Sequence, residues 1–141
     1  MNNLEQEEEI DLMQTRIAQN IPDNKKMMIA VAWIHEQDRH YFGLYPEVVM
    51  MDVTENTNTE RRPMFLVVGK DANSKTFVVM RVLMPHQKGW IFKWIFNFCF
   101  PKLLGSSNCR LIKLCITDGD RNIIDHIKHL MRPGNLFSNA K

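Results

Sequence analysis

Between Pro46 and Met84 the chain carries three runs of branched and aromatic residues separated by short polar segments, and this spacing restricts the fold more than any other feature. The runs are 48–53 (VVMMDV), 63–69 (PMFLVVG) and 76–84 (TFVVMRVLM). They are bounded by the polar cluster 54–60 and by Asp71-Ala72-Asn73-Ser74, so they read as strands joined by turns. Three strands on short links predict an antiparallel meander near 47–54, 62–70 and 75–84. A fourth run, 111–117 (LIKLCIT), comes only after a helical stretch.

That stretch has Trp90, Ile91, Trp94, Ile95 and Phe98 at helical spacing, which predicts a broad apolar face on a helix over 88–104. Pro101 is expected to bend or end this helix, and Gly105-Ser106-Ser107-Asn108 to form a loop. A helix between the meander and the fourth run makes a crossover, so the fourth strand should lie parallel to the first. A last helix is expected over 121–131, with Ile123, Ile124, Ile127, Leu130 and Met131 inward and Pro133-Gly134 closing it. At the other end, Leu4, Ile10, Met13 and Ile17 suggest an acidic amphipathic helix over 4–19. A break at Ile21-Pro22-Asp23-Asn24 precedes a second helix over 25–42. Ile29, Trp33 and Ile34 would mark its apolar side and Gly43 its end. The expected class is a mixed α/β sheet of one domain, 25–141, behind an acidic arm, 1–24.

A length of 141 residues with 45% hydrophobic content suits one domain with a core. No stretch reaches the roughly 18 to 20 apolar residues that span a bilayer. The longest, 90–104, is broken by Lys93, Asn97, Pro101 and Lys102. The polar, acidic start is no secretory signal, so a soluble, intracellular protein with no membrane partner is expected. Cys99, Cys109 and Cys115 fit neither a disulfide framework nor a zinc spacing, and Cys115 reads as a core residue. Charge is uneven: residues 1–24 hold six acids and one base, net −5, while 25–141 hold 17 bases and 10 acids, net +7. A basic body favours a polyanionic partner without identifying it, and surface lysines account for the same balance.

Two aspartates stand where chemistry would need them, Asp52 near the end of the first strand and Asp118 at the end of the fourth. If those strands are neighbours, the carboxylates emerge together, and a shared divalent cation relieves their repulsion. Mg²⁺ or Mn²⁺ held this way, as one of a pair of ions, would activate water and stabilise the leaving oxygen in phosphodiester cleavage. Asp-Gly at a strand end is also a common turn signal, so from the residues alone both readings stay open. Asp120 reads as the cap of the last helix. His126 and His129 lie three apart but on a polar side, and His35 and His40 share no face. No serine or cysteine has the setting of an activated nucleophile, and no Gly-rich phosphate loop is present. Trp33, Trp90 and Trp94 read as packing residues before base-stacking ones.

The segment 45–58 (YPEVVMMDVTENTN) resembles the opening of the Mutator-like (MULE) transposase domain, with its Tyr-Pro, apolar strand, Asp-x-Thr and Thr-Asn. Residues 63–71 (PMFLVVGKD), 89–94 (GWIFKW), 116–120 (ITDGD) and 136–141 (LFSNAK) are similar to that family's later motifs, in order and spacing. Ser138 replaces a usual proline. The likeness covers about 33–141 and implies a partial RNase H-like fold of the DDE superfamily. By position, Asp52 and Asp118 would be the first two acids of the triad, binding Mg²⁺ or Mn²⁺. It further implies transposon DNA as partner, cleavage and strand transfer as the ancestral reaction, a nuclear location and a possible homo-oligomer. The family's third acid lies on a helix beyond a fifth strand, and its upstream zinc-finger region has no counterpart here. The expectation is therefore a truncated or degenerate fragment. Its fifth strand would begin only where the chain stops, leaving the edge of the fourth open. The alternatives are a non-catalytic DNA- or protein-binding module and a remnant without function.

Overall fold

The computed structural model describes residues 28–128 and the backbone of 136–139. The elements run β1 (Val31–Trp33), α1 (Glu36–Leu44), β2 (Val48–Thr54), β3 (Met64–Lys70) and β4 (Thr76–Leu83). Then come α2 (Gly89–Trp94), a π-helical segment (Ile95–Cys99), α3 (Phe100–Leu104), α4 (Ser106–Cys109), β5 (Leu114–Thr117), α5 (Arg121–Ile127) and β6 (Leu136–Asn139). The strands form one six-stranded sheet in the order β1-β4-β3-β2-β5-β6. β2, β3 and β4 make the antiparallel meander that the sequence predicts, and β5 lies parallel to β2.

Alternation along the strands separates two faces. Val49, Met51, Phe65, Val67, Cys115 and Thr117 are buried on one. The Phe65 ring meets Phe92 and Phe96 edge-on, at 5.9 and 5.8 Å between centroids, so this face carries the helical crossover. Side chains of the size of Phe65, Phe92 and Phe96 each contribute on the order of 2–3 kcal/mol by leaving water. α5 packs against α2, and α1 leans on β4 and α3, where Asp38 pairs with Arg81 at 3.6 Å. Val48, Met50, Leu66, Val68, Leu114 and Ile116 line the opposite face and are half-buried.

The helical crossover departs from its expected face. Phe92, Phe96, Phe100 and Leu104 are buried at a strict spacing of four, whereas Phe98 is 53% exposed with the Lys102 ammonium 5.1 Å from its ring centroid. In a regular α-helix each step of four turns the stripe by about 40°, so three steps would swing Leu104 off the sheet. The π segment widens the turn, Phe100 N–H donating to Ile95 O, and keeps the stripe facing inward. Pro101 neither ends nor breaks the run. It sits in the first turn of α3, a position that tolerates a residue without an N–H.

Other expectations need correction. The helix over 25–42 is, in its described part, a strand and then a helix. Val31, Ala32 and Trp33 pair with Leu83, Val82 and Arg81, because a short apolar run serves either period and an open sheet edge stood beside it. Gly43 lies inside α1, which ends before Tyr45-Pro46, since a residue preceding proline is driven out of the α region. Residues 106–109 form a helical turn after Gly105, whose φ is +88°. β5 begins at Leu114 rather than Leu111, which is 45% exposed. The fifth strand is present: β6 pairs in parallel with β5 from Leu114↔Leu136 to Thr117↔Asn139, so that edge is not open. The proposed helix over 4–19 and the end of the last helix, from His129 on, lie outside the described residues.

Candidate functional site

The register of β2 on β5 decides where the two aspartates go. Met50 pairs with Ile116 and Met51 with Thr117, so Asp52 and Asp118 are the residues that directly follow the last pair of this parallel ladder. Neighbouring strands are about 4.8 Å apart. By the period of two, Asp52 shares a face with Val48 and Met50, and Asp118 comes directly after β5, whose Leu114 and Ile116 lie on that same face. Both are exposed to solvent.

One oxygen of each carboxylate is held locally. Asp52 Oδ1 accepts from Val53 N–H at 2.9 Å. Asp118 Oδ1 accepts from the Asp120 N–H at 3.2 Å and from the Thr117 hydroxyl at 3.3 Å. The second oxygen of each has no hydrogen-bond donor among the described residues, and neither aspartate has an ion-pair partner there. Two acceptor-only carboxylates at the same end of neighbouring strands are the kind of donor that suits a hard divalent cation. Among the described residues no group of three His, Cys, Asp or Glu side chains converges as a metal site.

Asp120 caps α5, its Oδ1 accepting from Asn122 N–H at 2.8 Å, as its position predicts. Gly119, at φ +95°, supplies the turn that sends the chain from Asp118 into this cap. His126 is half-buried against the start of α2. Its Nδ1 lies 2.6 Å from Asn122 O, and a Cβ on Gly89 would come within 3.4 Å of the ring. His129 is outside the described residues. Trp90 and Trp94 pack on the core, so the packing reading holds for them, whereas Trp33 is half-buried in β1 and is not among the residues packed on the core. The thiols of Cys99, Cys109 and Cys115 are buried, and burial pushes them up to about 12, 11 and 12. Such thiols stay protonated and unreactive near neutrality.

Sequence reasoning missed several residues at this end of the sheet. Glu55, just beyond β2, accepts from Gln87 Nε2 at 2.6 Å. Asn122 Nδ2 donates to Gln87 O at 3.4 Å. Nothing local in the sequence marks Gln87, because its partners are more than thirty positions away. Thr117 was visible in the Thr-Asp-Gly run but its hydroxyl contact with Asp118 was not.

The family model described as zinc finger SWIM domain-containing protein 1/3, RNase H-like domain, matches residues 8–132. Comparison with curated proteins and with solved structures finds no match. No helix among the described residues is long and apolar enough to cross a membrane. With three antiparallel strands, a helical crossover and a parallel strand beside the first, the chain has a mixed α/β, RNase H-like fold and belongs to the RNase H-like domain family of zinc finger SWIM domain-containing proteins 1/3.

Proposed function

We propose that this domain descends from a Mutator-like transposase and keeps the first two carboxylates of a metal site, Asp52 and Asp118. The single observation that supports this reading is the parallel register of β2 and β5, whose last pair, Met51 with Thr117, immediately precedes the two acids. Two carboxylates and water hold Mg²⁺ or Mn²⁺ weakly, and phosphate oxygens of DNA complete the shell when bound. The ion would activate a water and stabilise the departing oxygen, while Asp52 and Asp118 fix its position. The ancestral reaction is phosphodiester cleavage and strand transfer on transposon DNA. We place the protein in the nucleus on the same grounds.

A second reading is a non-catalytic DNA- or protein-binding module with the same ancestry. It is favoured by the lack of a third converging ligand among the described residues. One experiment separates the two: incubation of the 141-residue chain with supercoiled plasmid and Mg²⁺ or Mn²⁺, alongside Asp52→Ala and Asp118→Ala. The expected result is weak Mn²⁺ binding, lost in both variants, with no nicking by the isolated chain. Nicking that depends on both aspartates would establish a nuclease. Retention of DNA by all three proteins without any metal binding would leave only the binding module.

A further inference from the structure

Asp52 lies near the end of β2 and Asp118 directly after β5, and a chain of hydrogen bonds joins the loops that follow them. It starts at Glu55, three residues past Asp52, whose Oε1 accepts from Gln87 Nε2 at 2.6 Å. Gln87 O accepts from Asn122 Nδ2 at 3.4 Å. Asn122 N–H donates to Asp120 Oδ1 at 2.8 Å, and Asp120 N–H donates to Asp118 Oδ1 at 3.2 Å. The packing that makes the middle link possible is the close approach of α2 to α5 at Gly89. A Cβ there would lie 3.8 Å from Asn122 Oδ1 and 3.4 Å from the His126 ring.

From this geometry we infer that Gln87 and Asn122 are positioning residues for the two-aspartate site: they brace the loop after β2 against the loop after β5 and so fix the Asp118 carboxylate relative to Asp52. The inference rests on the metal-binding reading above. Neither side chain touches the carboxylates, and both act through another group: Gln87 through Glu55, Asn122 through Gln87. Gln87 and Asn122 are half-buried; the two links made by Asn122 are part-buried, whereas the Gln87–Glu55 link is exposed. Groups that orient ligands from outside the coordination sphere commonly change metal affinity by about 10- to 100-fold. A chain of several links, one of them long, should sit at the lower end.

The test uses the full chain and Mn²⁺ alone, with free Mn²⁺ read by electron paramagnetic resonance. Gln87→Ala and Asn122→Ala should each weaken Mn²⁺ binding by about tenfold while the melting temperature moves by no more than about 2 °C. The double variant should be no weaker than either single one, because both break the same chain. Glu55→Gln keeps an acceptor and should stay within about twofold of the parent. If Glu55→Gln abolishes binding, Glu55 is itself a ligand and the bracing role is wrong. Unchanged affinity in Gln87→Ala, with binding still abolished by Asp52→Ala, also overturns it. If the parent chain binds no Mn²⁺, the metal reading fails, and amide hydrogen exchange at residues 120 and 122 then judges the brace. Exchange faster by about tenfold in Gln87→Ala, with core amides unchanged, supports it; identical exchange refutes it.

Discussion

Cys99, Cys109 and Cys115 give the most direct handle on single residues, because burial alone sets their behaviour. Each lies within the hydrophobic core and its thiol is raised from an ordinary 9.0 to about 12, 11 and 12 respectively. On unfolding, the thiol returns to its ordinary range and releases a proton at alkaline pH. The unfolded state then binds fewer protons than the folded state, so stability falls as pH rises. The stabilisation is complete below about pH 9 and is lost between pH 9 and about 11 to 12. Each thiol weakens the fold by up to about 1.4 kcal/mol per pH unit in that window. Urea midpoints under reducing conditions should therefore drop between about pH 8 and pH 10, and Cys115→Ala should flatten the slope. An equal slope in that variant would contradict the assignment.

At the scale of an element, the helical crossover shows how a π turn changes which residues meet the sheet. Phe96 is fully buried, with its ring 5.8 Å from Phe65 and 5.0 Å from Phe100. Phe98, two residues on, is turned to solvent. Phe96→Ala should cost about 3–5 kcal/mol, the range for emptying a phenylalanine site in a packed core. Phe98→Ala should cost less than about 0.5 kcal/mol, since its main described neighbour is the exposed Lys102. Chemical denaturation of both variants checks the ordering. Comparable losses would mean that the crossover is a plain α-helix with Phe98 inward.

For the molecule as a whole, the strand that closes the parallel side of the sheet matters most. β6 covers β5 through four residue pairs, and without it β5 would present a row of open N–H and C=O groups. Removing residues 136–141 should lower stability by about 2–4 kcal/mol, taking about 1 kcal/mol for each ladder hydrogen bond. It should also promote association through the exposed edge. Equilibrium unfolding and light scattering of the shortened chain measure both. Unchanged stability would mean that the β5–β6 pairing contributes nothing in solution.

The sequence by itself determined β2 to β5 and their order. Alternating branched residues, short polar links and a helical interval allow one economical topology, and right-handed crossovers place the fourth strand parallel to the first. Asp52 and Asp118 were legible as candidates because each stands at or near the end of an apolar run, and the Asp120 cap because it precedes a helix. Tertiary structure alone decided the rest. Val31–Trp33 became a strand because β4 offered an unpaired edge, a partner fifty positions away that no local pattern encodes. The crossover turned Phe98 out because four-residue spacing and the π segment kept Phe96 and Phe100 against the sheet. The link from Glu55 through Gln87 to Asn122 depends on the approach of α2 to α5 at Gly89, a distance set only when both helices share one face.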